Sequence, residues 1–166
     1  MMQYQNNKIS LIALFASISI VLGFFENLFP IPIPGVKLGL SNIGIMLAIY
    51  LLSFREAIII GFLKSIIIPI VSGNFLLKMS IGLPSTIIAT IVMYFYSYLT
   101  KKFATPVSTG AIGAFFHIAS QFIIIKHLFI KNLAFFKIFP YFSLLSITTG
   151  ILTGIITYKV LKIYHD

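Results

Sequence analysis

Six apolar runs divide the chain, at residues 9–29, 38–54, 57–71, 75–99, 106–129 and 138–156. Each is broken from the next by a short stretch carrying Lys, Arg, Asn, Gly or Pro. A helix that crosses a bilayer needs about 20 mostly apolar residues. The pattern therefore predicts an all-α integral membrane protein, with a single six-helix transmembrane domain over residues 1–166. The runs at 38–54 and 57–71 are short for a full span, so these helices tilt less or begin inside the preceding connection. The aromatic string Tyr94-Phe95-Tyr96-Ser97-Tyr98 followed by Lys101-Lys102 reads as an interfacial belt with a basic stop.

The first connection has an unusual composition. In Phe29-Pro30-Ile31-Pro32-Ile33-Pro34-Gly35 a proline at every second position holds the backbone extended, because each ring fixes its own φ and disfavours helix at the residue before it. Gly35 and Gly39 let the chain turn, and Ser41-Asn42 suits the start of the next helix. The segment is expected to form a stiff lid beside a binding site.

Composition strengthens the membrane reading. Of 166 residues 59% are hydrophobic and only 9% charged, against about a quarter charged in soluble domains. Mean hydropathy is +1.07. The net charge of +9 comes from lysines and an arginine set singly or in pairs at the ends of apolar runs, not from a clustered patch, so no nucleic-acid partner is expected. The partner these residues fit is the lipid bilayer. With the N-terminus inside, Lys8, Arg55, Lys101, Lys102, Lys159 and Lys162 fall on the cytoplasmic side, while Lys37, Lys131 and Lys137 fall outside. The expected setting is a bacterial inner membrane, multi-pass, with both termini cytoplasmic. Cysteine is absent, which removes thiolate chemistry and Cys-ligated metals.

An ionisable group inside hydrocarbon costs about 3 kcal/mol on insertion scales, so it faces the bundle interior or a wet cavity. Lys64, between Gly61-Phe62-Leu63 and Ser65-Ile66-Ile67-Ile68, is the strongest signal of this kind. It either meets an anionic ligand or pairs with Glu26 or Glu56. Glu26 either binds part of a substrate or pairs with Lys37 or Lys64. Gly113, His117 and Gln121 recur every four residues and line one helix stripe, suited to a ligand or to interhelical hydrogen bonds. Candidate substrate contacts are Glu26, Asn27, Lys37, Asn42, Lys64, Lys78, His117 and Gln121. Ala13 and Ser17, four apart, allow close helix approach, within the bundle or with a docked partner subunit. No catalytic residues, metal ligands or cofactor motifs are expected: there is no P-loop, no G-x-S-x-G, no H-E-x-x-H and no carboxylate pair.

The run from Glu26 to Asn42, the string Phe54-Arg55-Glu56-Ala57 with Lys64 beyond it, and the stripe Gly110-Gly113-His117-Gln121 together resemble the family of heptaprenyl diphosphate synthase component I, also called Gx transporters. That resemblance implies a possible prenyl diphosphate synthase subunit as partner. Catalysis by the chain itself conflicts with its composition, since prenyl transfer on Mg²⁺-diphosphate uses aspartate-rich motifs and Asp166 is the one aspartate present. The family also looks like the S-components of energy-coupling factor (ECF) transporters. This likeness implies a six-helix bundle that binds a small-molecule substrate under its first outer loop and works with ATPase and transmembrane coupling subunits. In that picture Pro30, Pro32, Pro34 and Gly35 form the lid, and Ala13 and Ser17 dock the coupling subunit.

Overall fold

The computed structural model describes residues 2–28, 37–101, 103–130 and 133–165. Pro30, Pro32, Pro34 and Gly35, read above as the lid, lie outside the described residues. Six α-helices follow in order: α1 (Met2–Glu26), α2 (Ile43–Leu51), α3 (Phe54–Ser72), α4 (Phe75–Thr100), α5 (Pro106–Leu128) and α6 (Phe139–His165). Short 3-10 turns at Leu40–Asn42 and Leu133–Ile138 lead into α2 and α6. Among the described residues there is no strand.

Four of these helices, in α1, α4, α5 and α6, are long and apolar enough to cross a membrane. The other two differ from the sequence expectation in instructive ways. The run at 38–54 yields an α2 of only nine residues, which spans roughly 14 Å against about 30 Å of hydrocarbon. Its first part is spent on a turn, and Ser53, in extended backbone, separates it from α3. Helix α3 has 19 residues, a nearly sufficient length, but carries Arg55, Glu56 and Lys64.

The shortness of α2 follows from its place. Its sequence is apolar on every face, and residues 43–48 are all buried. A helix with no polar side belongs in an interior. It packs against α1, α3 and α6 and also touches α4 and α5. The large lipid-facing side chains lie instead on the longer helices, among them Leu14, Ile70, Leu76, Leu144 and Ile163.

Helices α5 and α6 form the most extensive pair in the bundle. They approach at Gly110 and Gly150, where a side chain on either would collide with the backbone carbonyl of the other. Small residues at such a crossing bring the helix axes together where lipid supplies no hydrophobic drive. Gly110→Leu should therefore lower the thermal stability of the detergent-purified protein by about 1–3 kcal/mol or more. Gly82→Ala, at a helical glycine with no heavy atom within 4 Å of the added carbon, should leave it unchanged or slightly raised. Equal melting temperatures for Gly110→Leu and wild type would refute the crossing.

Candidate functional site

The site is built on residues 37–42, a short irregular stretch held from four helices at once. From α1, the buried Glu26 carboxylate takes three backbone N–H donors. Its Oε1 accepts from Gly39 at 2.5 Å and Leu40 at 3.2 Å, and its Oε2 accepts from Ser41 at 3.4 Å. An anion at the exposed amides of a helical start satisfies donors that have no intrahelical partner. Neither Gly39 nor Asn42 makes a side-chain cap of its own, so the cap comes from another helix. Gly39 has φ of 100°, a left-handed backbone that glycine adopts without penalty.

From α3, the Lys64 ammonium donates to Asn42 Oδ1 at 2.6 Å and Ser41 Oγ at 3.0 Å. Lys64 is 2% exposed. From α5, Gln121 Oε1 accepts the Lys37 N–H at 3.0 Å. The Gln121 amide then faces His117 Nδ1 at 3.2 Å. From α6, Ser146 and Thr149 donate to the Leu38 carbonyl at 2.9 and 3.0 Å.

Beside this stretch lies a narrow, partly open pocket with a cavity volume of about 10 Å³, room for about one water molecule. One side is cationic, formed by Lys37, Lys64 and Lys78 with His117. Ser65 and Pro69 of α3, Gly82 and Thr86 of α4, and Ser41 and Ile68 complete the lining. No carboxylate lines it. Lys64 is neutralised by no contact anion, since both of its partners are uncharged oxygens. Lys78 donates to the Ser72 carbonyl and hydroxyl, each at 2.9 Å, at the C-terminal end of α3. Lys37 has no side-chain hydrogen bond among the described residues. In the connection outside the helices, burial lowers its pKa to about 8, with the field of Glu26 opposing that shift and Lys78 adding to it.

The candidate contacts thus separate. Lys37, Lys64, Lys78 and His117 meet at the pocket. Asn42 sits behind Lys64, and Gln121 holds the Lys37 backbone. Glu26 faces the amides of residues 39–41. Asn27 donates from its amide to the Gly23 carbonyl at 2.7 Å, closing the end of α1. Ala13 and Ser17 are exposed on α1, where Ser17 Oγ donates back to the Ala13 carbonyl at 2.8 Å. Ser41, Ser65, Gly82 and Thr86 also line the pocket and were not singled out from the sequence. Hydroxyls and glycines are common in membrane helices, and only adjacency to Lys64 and Asn42 marked two of them. Elsewhere, Lys8 pairs with Glu56 at 2.6 Å, and Ser53 hydrogen-bonds to the same carboxylate. Glu56 is therefore occupied at the far end of α3 from Ser72. No group of three or more metal-ligating side chains occurs among the described residues.

The model of one family, heptaprenyl diphosphate synthase component I, matches residues 15–160. The chain belongs to that family. The match runs from α1 to the last turns of α6 and takes in every residue of the pocket. No curated protein and no solved structure matches this component I chain.

Glu26→Gln tests the cap. The change puts amide hydrogens against backbone donors and should cost about 1–3 kcal/mol of stability, the penalty for unsatisfied buried polar groups. Thermal unfolding in detergent reads it directly, and an unchanged midpoint would remove Glu26 from the frame of the site.

Proposed function

We propose that this component I chain is a non-catalytic membrane subunit that binds a compact anion in the pocket beneath residues 37–42. The observation that carries this reading is that Lys37, Lys64 and Lys78 line one partly open pocket with no carboxylate in its lining. Buried charge of one sign is costly unless a counter-charge completes it. The nearest acid, Glu26, is committed to three backbone amides. A carboxylate or phosphate group supplies what the protein leaves out.

In the first form of the reading, the chain works as an S-component-like subunit of an energy-coupled uptake transporter in a bacterial inner membrane. All six helices cross or enter the bilayer as one domain, and both termini lie in the cytoplasm. The basic residues Lys8, Arg55, Lys101, Lys159 and Lys162 at the inner helix ends support that orientation. The proline segment covers the pocket from outside. Ala13 and Ser17 offer an exposed face of small residues on α1 to a transmembrane coupling subunit, which joins the ATPase. The chain has no nucleotide motif of its own.

The family match favours a second form, in which the same subunit assists a polyprenyl diphosphate synthase. The cationic pocket suits a diphosphate as well as a carboxylate. Its small volume and its three hydroxyl-bearing lining residues, Ser41, Ser65 and Thr86, suit a compact ligand better than a prenyl chain. Affinity purification in mild detergent separates the two, since an ATPase module is expected to co-purify in the first and a synthase subunit in the second.

Anion binding should follow the protonation of Lys37. Because its pKa is lowered to about 8, the ammonium is present below that pH and lost above it. Affinity should be steady from pH 6 to about 7, then fall by up to about tenfold per unit once pH passes 8. Calorimetric titration with phosphate and with small carboxylates checks this. A flat profile to pH 9.5 would take Lys37 out of the site. Gly82→Leu, which projects a side chain into open space, should abolish binding while the protein stays folded. Full affinity in that variant would place the ligand elsewhere.

A further inference from the structure

The pocket has a second feature that a bare anion does not use. Ser and Thr hydroxyls inside these helices usually bond back to a carbonyl one turn earlier. Ser17, Ser85, Thr90, Thr100 and Ser120 all do so. Ser65 does not. Its Oγ is buried without a hydrogen-bond partner, and Ser65 is 6% exposed overall. It lines the pocket directly after Lys64 in the chain. The other unpaired helical hydroxyls, on Ser19 and Thr157, line no part of this pocket.

Pro69 adds to the same wall. It stands inside α3 and has no N–H, so the Ser65 carbonyl four residues earlier lacks its helical donor. Ser65 and Pro69 both face the pocket. The cavity therefore offers, at Ser65, a carbonyl without its helical donor and a hydroxyl with no partner, beside lysines that have no contact anion. A buried polar atom without a partner is uncommon in a native protein, and a bound ligand is one way to supply it.

We infer that the ligand is a compact hydroxy-anion, whose carboxylate or phosphate group meets Lys64 and Lys37 while its hydroxyl donates to the Ser65 side of the pocket. This rests on the anion-binding reading above and deepens it. The donor is neutral because Lys37, Lys64 and Lys78 surround the same cavity, and an ammonium group on the ligand would face their combined repulsion. Lys64 and Ser65 are consecutive, so the charged group and the hydroxyl sit close together on a small molecule.

The test uses the full chain purified in detergent and four probes: propionate, lactate, alanine and inorganic phosphate. The three organic probes have the same carbon skeleton and differ in bearing no donor, a hydroxyl or an ammonium. Lactate should bind about tenfold tighter than propionate, as expected for one buried hydrogen bond. In Ser65→Ala that advantage should vanish while propionate affinity and the melting temperature hold, because the deleted hydroxyl has no partner to lose. Equal binding of lactate and propionate, a lactate advantage that survives Ser65→Ala, or alanine as the tightest probe would overturn the hydroxy-anion inference and leave the anion site standing. Binding of phosphate alone would do the same. Failure of all four probes to bind would overturn both.

Discussion

The Glu26 carboxylate and the three amides it receives from residues 39–41 are the constraint on which the remaining arrangement depends. Non-helical backbone inside a membrane protein must find every hydrogen-bond partner within the protein. Residues 37–42 draw backbone partners from α1, α5 and α6, while Lys64 of α3 holds the side chains of Ser41 and Asn42. The Lys37 N–H goes to Gln121, the Leu38 carbonyl to Ser146 and Thr149, and the amides of Gly39, Leu40 and Ser41 to Glu26. This stretch is both packed against the helices and bordered by the pocket. Because its backbone bonds come from three separate helices, the same interactions that satisfy the backbone also fix where α2 enters the core.

Much of the helical framework was legible in the sequence, because long apolar runs separated by polar breaks can satisfy their backbones in few other ways. The length of α2 was not. An apolar run signals burial from water without saying whether lipid or protein receives it, and residues 43–48 are received by protein on every side. Lys64 was legible for the opposite reason, since one charge among isoleucines demands an explanation. Its immediate partners were only half legible. Asn42 stood out in a polar connection, but Ser41 was legible only as a helix start, not as a partner of the ammonium.

The stripe of His117 and Gln121 shows a different limit. Spacing by four put both on one face of α5, and they do act together. What Gln121 holds is the backbone of Lys37, 84 positions away, and backbone groups leave no mark in a sequence. The same holds for Glu26, whose partners are all main-chain amides. Sequence reasoning looked for a lysine to match the carboxylate. Within the bundle, amides at the start of a turn meet that need as well as a cation does, so no lysine contacts the carboxylate among the described residues.

That division of labour bears on how binding at the pocket reaches the rest of the molecule. Lys64 belongs to two structures at once, for it lines the cavity and also holds Asn42 and Ser41 at the entry to α2. In the proposed role, an anion arriving at Lys64 competes with Asn42 Oδ1 for the ammonium. A charged acceptor outbids a neutral one, since charge-assisted hydrogen bonds are roughly twice as strong. Asn42 already carries an unpaired Nδ2, so loosening its remaining bond leaves that side chain to be resolved by movement of the segment around it. Lys37 lies on that segment and on the cationic wall, so the loop that would move is also one that contacts the ligand. The occupied and empty states of such a pocket then differ first in residues 37–42, at the place where four helices are joined.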